Sequence, residues 1–135
     1  MTRGWALPAL AAAAVAAGLA GCGTQTEDLL AFERDYPVTG VHVRIRVTND
    51  GRGSCGSGAL QQLTSQTLLD AREVKRDLRP LARHGASFTR PGSQRRSFVF
   101  RSFDGTVRWT EGYGPPKLGR ATLLELRLER GLCRE

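Results

Sequence analysis

Metal-ligand patterns are missing from this 135-residue chain, which has two histidines and three cysteines and contains neither CxxC nor HExxH. Zinc chemistry of the familiar kinds is thereby excluded, and no metal and no other cofactor is expected. Long hydrophobic runs are also lacking: the uncharged stretch at residues 6–20 falls short of the ~20 residues a membrane-spanning helix needs. Carboxylates are scattered, with no spacing that brings two together for acid–base work. His42 falls on a strand's polar face and His84 beside a glycine. A triad assembled on paper from Ser57, His84 and Asp77 carries no weight, since such residues are common. Together these absences favour a binding protein over an enzyme.

The N-terminus holds the most specific signal. Arg3 gives a short basic start, the apolar run follows, and Leu19-Ala20-Gly21-Cys22 closes it. That tetrapeptide resembles the lipobox of bacterial lipoprotein signal peptides. The resemblance implies a signal peptide over residues 1–21, diacylglycerol on the Cys22 sulfur, and a domain anchored to the cell membrane outside the cytoplasm. An ordinary secretory signal is the alternative. With Cys22 given to lipid, Cys55 and Cys133 remain as a pair in an oxidising compartment. Bridged, they contribute roughly 4 kcal/mol in the chain-entropy model; two free thiols are the other reading. Removing Arg3 with the signal leaves 19 basic against 13 acidic residues, a formal charge of +6. Nucleic acid is not an expected partner outside a cell. Anionic headgroups or wall polymers are, at about 1 kcal/mol per basic residue near the surface, although solubility alone accounts for the same charge.

Residues 22–38 read as the lipidated cysteine and a tether, in which Leu29, Leu30, Phe32 and Tyr36 form a short amphipathic turn ended by Pro37. Residues 39–135 then make one small domain, expected to be monomeric. Val41, Val43, Ile45 and Val47 alternate with His42, Arg44, Arg46 and Thr48, the pattern of a half-buried strand. A second strand is expected through 59–67. Asp70 as cap, with Glu73 three residues on, predicts a helix over 70–83 that Pro80 kinks or ends. Residues 85–96 read as a loop. Asp104-Gly105 between two alternating runs predicts a two-residue hairpin. In that register Phe100 faces Trp109 and Arg101 faces Arg108, with Phe98, Phe100, Val107 and Trp109 buried. Leu124, Leu126 and Leu128 alternate like a strand, but Ala121, Leu124, Leu128 and Leu132 fit a helical stripe after Pro115-Pro116, and length and composition favour the helix. The fold class is α+β, a small antiparallel sheet with two helices packed on it, in the order β(β)αββα.

After the alternating strand comes NDGRGSCGSG, whose Gly51, Gly53 and Gly56 match G-x-G-x-x-G. A dinucleotide turn needs a buried strand before it and a helix opening at its last glycine; the strand is half exposed and the helix distant, so that reading is rejected. The segment reads instead as a loop held by Cys55, rigid enough to meet a partner. Its candidate contacts are Asp50, Arg52, Ser54 and Ser57. Arg101 and Arg108, like charges facing each other, form a second candidate patch. Beyond Cys22, Cys55 and Cys133, no catalytic or metal residue is assigned.

The run of VHVRIRV, the glycine-rich segment, LLDAREVKRDLRPLA, FVFRSFDGTVRW and a Pro-led, Leu-rich end resembles the emfourin-like proteins, small inhibitors of the thermolysin-like metallopeptidase protealysin. The resemblance covers about residues 41–132. It implies a non-catalytic inhibitor or binder of a secreted or envelope metallopeptidase, acting by occluding its cleft. The alternative is an envelope accessory module holding anionic lipids or wall polymers through its basic surface. Members typically carry a paired glycine after the first strand; this chain has DGRGSCGSG there and adds two cysteines.

Overall fold

Alternation of apolar and polar side chains lays down most of the sheet. The computed structural model describes residues 27–133, so the leader, Cys22 and the residues up to 26 lie outside the described part. Its elements are β1 (Asp28–Tyr36), β2 (Val41–Thr48), β3 (Arg52–Cys55), β4 (Gln61–Gln62), α1 (Ser65–Arg83), β5 (Ser87–Phe88), β6 (Ser97–Ser102), β7 (Gly105–Thr110) and α2 (Lys117–Leu132). The seven strands form one sheet in the order β4-β3-β2-β1-β6-β7-β5. Both helices cover the same face: α1 lies on β1, β6 and β7, while α2 crosses β2 and β3. The class is α+β, as expected. The sheet, however, is mixed, because β5 pairs with β7 in parallel.

The largest difference lies at residues 28–36. The amphipathic turn expected there is the nine-residue central strand of the sheet, paired with β2 on one side and β6 on the other. Leu30, Phe32 and Arg34 point into the core; Ala31, Glu33 and Asp35 point away from it. Residues 28–36 are thus part of the folded domain, which the sequence reading began at 39.

The glycine-rich segment also departs from expectation. Its middle is strand β3, antiparallel to β2, and Gly53 is buried so closely that an added Cβ would stand 2.8 Å from Leu132 Cδ1. Of the strand expected over 59–67 only Gln61–Gln62 exists, and α1 begins immediately after. Thr64, not Asp70, caps α1, its hydroxyl accepting from the Thr67 N–H at 3.2 Å. The helix continues through Pro80 and stops at Arg83, with Gly85 in the left-handed region beyond it.

The β6–β7 hairpin has the expected buried quartet, but its register is shifted. Ser102 pairs with Gly105, so Phe103 and Asp104 make the turn; Phe100 faces Val107, Phe98 faces Trp109, and Arg101 faces Thr106 instead of Arg108. Gly105 is fixed as the first strand residue because a Cβ there would fall 2.2 Å from the Ala82 carbonyl oxygen. Under the sheet, Trp109 stacks on Phe98 with centroids 5.3 Å apart, and its indole N–H donates to Thr122 of α2. Residues 117–132 are helical, with Leu118, Ala121, Leu124, Leu128 and Leu132 buried. The helix ends where Cys133 meets Cys55 in a disulfide, Cα atoms 5.2 Å apart, tying α2 to β3.

Candidate binding surface

Since both helices share one face, the other face of the sheet is open. Register fixes what stands there. One row runs Arg44–Glu33–Val99–Arg108 across β2, β1, β6 and β7; the next runs Ser54–Arg46–Ala31–Arg101–Thr106. Glu33 is the central carboxylate: its Oε1 lies 3.3 Å from Arg44 and 2.9 Å from Arg101. Arg46 pairs with Asp28, and His42 lies 2.6 Å from Asp35. Arg108 is exposed and has no side-chain ion pair among the described residues. Such exposed pairs contribute little to folding, about 0–1 kcal/mol each, so the arginines remain available to a partner that offers a better anion.

The candidate residues do not form one patch. Asp50 sits in the tight turn after β2, where Arg52 Nε donates to its Oδ2 at 2.9 Å and the Thr48 hydroxyl reaches its other oxygen. The Arg52 bond and then the Thr48 bond hold the Asp50 carboxyl below the usual carboxylate range. Ser54 is buried within β3, 4% exposed, which removes it as a contact. Ser57 lies beyond the far end of β3, about 13 Å along the strand from the turn that holds Asp50. An occluding loop made of all four residues is therefore corrected to a tight turn, a strand and a second turn. Arg101 and Arg108 do share the open face, on adjacent strands, but in different rows.

Sequence reasoning missed the residues that organise this face. Glu33 was hidden in the presumed tether, though Leu30, Phe32 and Arg34 already alternate with Ala31, Glu33 and Asp35. It also missed a buried cluster beneath β1. Arg34, 7% exposed, lies 3.5 Å from Glu125 and 2.6 Å from Glu129 of α2. Glu125 is fully buried, with neither oxygen hydrogen-bonded among the described residues. Burial pushes its carboxyl up to about 7, against the opposing pull of the Arg34 charge; Glu129 adds to the rise and Arg96 opposes it.

Among the described residues both histidines are exposed, and no group of three His, Cys, Asp or Glu side chains is placed to hold a metal ion. No described helix is long and apolar enough to cross a membrane. An open cavity of about 880 Å³ lies at the Asp28 end of the sheet, lined in part by Glu27, Asp28, Arg46, Lys75, Arg101 and Phe103. Compared with protein-family models, curated proteins and solved structures, the chain matches none.

Proposed function

We propose that this is a lipid-anchored envelope protein, bound to the outer side of the cell membrane through Cys22, whose domain is a non-catalytic binder of an acidic macromolecular surface. The observation that carries this reading is the open sheet face, where Arg44, Arg46, Arg101 and Arg108 stand with His42 among the carboxylates Asp28, Glu33 and Asp35, and Arg108 has no side-chain ion pair among the described residues. A sheet face is rigid, so its side chains lose little further freedom on binding. Cations spaced by strand separation, about 4.8 Å per strand, suit a flat or extended polyanion. Titration with polyphosphate or polyglutamate tests the reading: binding should fall steeply with salt and weaken in the R44E/R108E double variant. Equal loss in Arg72→Glu, on the helical side, or binding indifferent to salt, would sink it.

A second reading, occlusion of a thermolysin-like metallopeptidase, draws support from the tight turn at 49–51. There Asn49 and Asp50 are exposed, Asp50 is held by Thr48 and Arg52, and the buried Gly51 takes φ +87°, so the tip of the turn is already ordered. Absence of inhibition at about micromolar protein would dismiss it.

A further inference from the structure

We infer that the Asp28 end of the sheet, with Phe103 at its tip, rests on an anionic lipid bilayer. The inference rests on the anchored reading above and adds an orientation to it. Five residues lie between Cys22 and Asp28, and the six steps of chain that join them reach at most about 22 Å. β1 itself is nine residues, about 30 Å of strand. The anchor therefore reaches the bilayer only if the Asp28 end, and not the Tyr36 end, is turned towards it.

That end is built for the position. Register places three features together there: the start of β1, the turn after β2 and the β6–β7 turn. Phe103 is 94% exposed, an aromatic ring with no core to enter, and an interfacial ring suits the headgroup level. Lys75 and Arg101 line the same cavity as Phe103. Of the carboxylates at this end, Asp28 is paired with Arg46, Asp50 with Arg52, and Asp104 with Arg79 and Arg83, while the exposed Glu27 on the cavity wall has no side-chain ion pair among the described residues. Lys75, half-buried and without such a pair among the described residues, lines the cavity beside Arg101, whose guanidinium also reaches Glu33 at 2.9 Å. Cations flanking an exposed ring match the negative potential of an anionic leaflet, and this geometry leaves the arginine face upright and accessible to a partner.

The test reconstitutes the full lipidated protein into vesicles of phosphatidylcholine with and without phosphatidylglycerol. Tryptophan is placed by Phe103→Trp at the tip or Val99→Trp in the middle of the open face, and quenched by nitroxide lipid or by aqueous iodide. Expected is quenching of the tip probe by nitroxide lipid at least about twofold above that of the face probe, with protection from iodide. Phosphatidylglycerol should strengthen the effect and Lys75→Gln should reduce it, since one cation near such a surface is worth about fivefold. Equal lipid quenching of both probes would mean a face-down domain and overturns the inference. A tip probe still open to iodide overturns it too, leaving that end to water or a protein partner. In either case flotation with the vesicles leaves the anchor intact; failure to float refutes the anchor and this inference together.

Discussion

Replacing Glu125 by glutamine should change how stability depends on pH, by an amount the buried cluster sets. The carboxyl ordinarily titrates near 4.5 and in the fold is pushed up to about 7 by burial. At about 1.4 kcal/mol per pH unit, that difference corresponds to about 3 kcal/mol. The native state holds a proton that the unfolded chain has already released, so stability falls as pH rises. The contribution is complete below about pH 4.5 and is lost as pH climbs through about 7. Glutamine keeps the volume but cannot ionise, and Arg34 retains Glu129 at 2.6 Å in either protein. The assay is urea unfolding followed through Trp109, which is buried against Phe98 and so reports the core. Run at pH 5, 6, 7 and 8, the wild-type midpoint should lose ground to Glu125→Gln by roughly 2 M between the lowest and highest pH. Parallel pH profiles, or a wild type that gains on the variant with rising pH, would refute the reasoning.

Two further outcomes follow from covalent and capping contacts. The C55S/C133S double variant should lose about 4 kcal/mol, read as a lowered urea midpoint without reductant, because the bridge closes a loop across 78 positions; an unchanged midpoint would contradict the chain-entropy account. Thr64→Ala should cost about 1 kcal/mol as a lost cap. Asp70→Ala should cost only a few tenths, since it breaks an exposed pair with Arg127; the reverse ranking in thermal unfolding would move the helix start back to Asp70.

Much of the architecture was legible wherever one face of an element is apolar without exception. β2 shows its alternation in seven letters, and the buried quartet of the hairpin follows from period two even though its turn was misplaced. The helical stripe of α2 likewise outweighed its alternating leucines. β1 was obscured by its own chemistry. Arg34 occupies a core position and breaks the alternation, because its partners Glu125 and Glu129 lie some ninety residues away. Pairing at that distance leaves no local pattern. The same applies to Gly105, whose place is set by the Ala82 carbonyl and not by the preference of Asp-Gly for hairpin turns. At the candidate surface, Arg101 and Arg108 were readable as exposed, but Glu33 between the arginines required β1 to be recognised first. Ser54 looked like loop because glycines surround it, yet β2 and β4 pair on either side of its strand.

The central position of β1 also has a mechanical meaning. A pull on the chain from the side of Cys22 enters the domain along the axis of β1, while the hydrogen bonds to β2 and β6 run across that axis. Both ladders therefore bear the load in shear, many bonds at once, and cannot be unzipped one at a time. Pulled from an edge strand, the same domain would peel; under the proposed anchoring at Cys22, the load falls on a central strand and is resisted in shear.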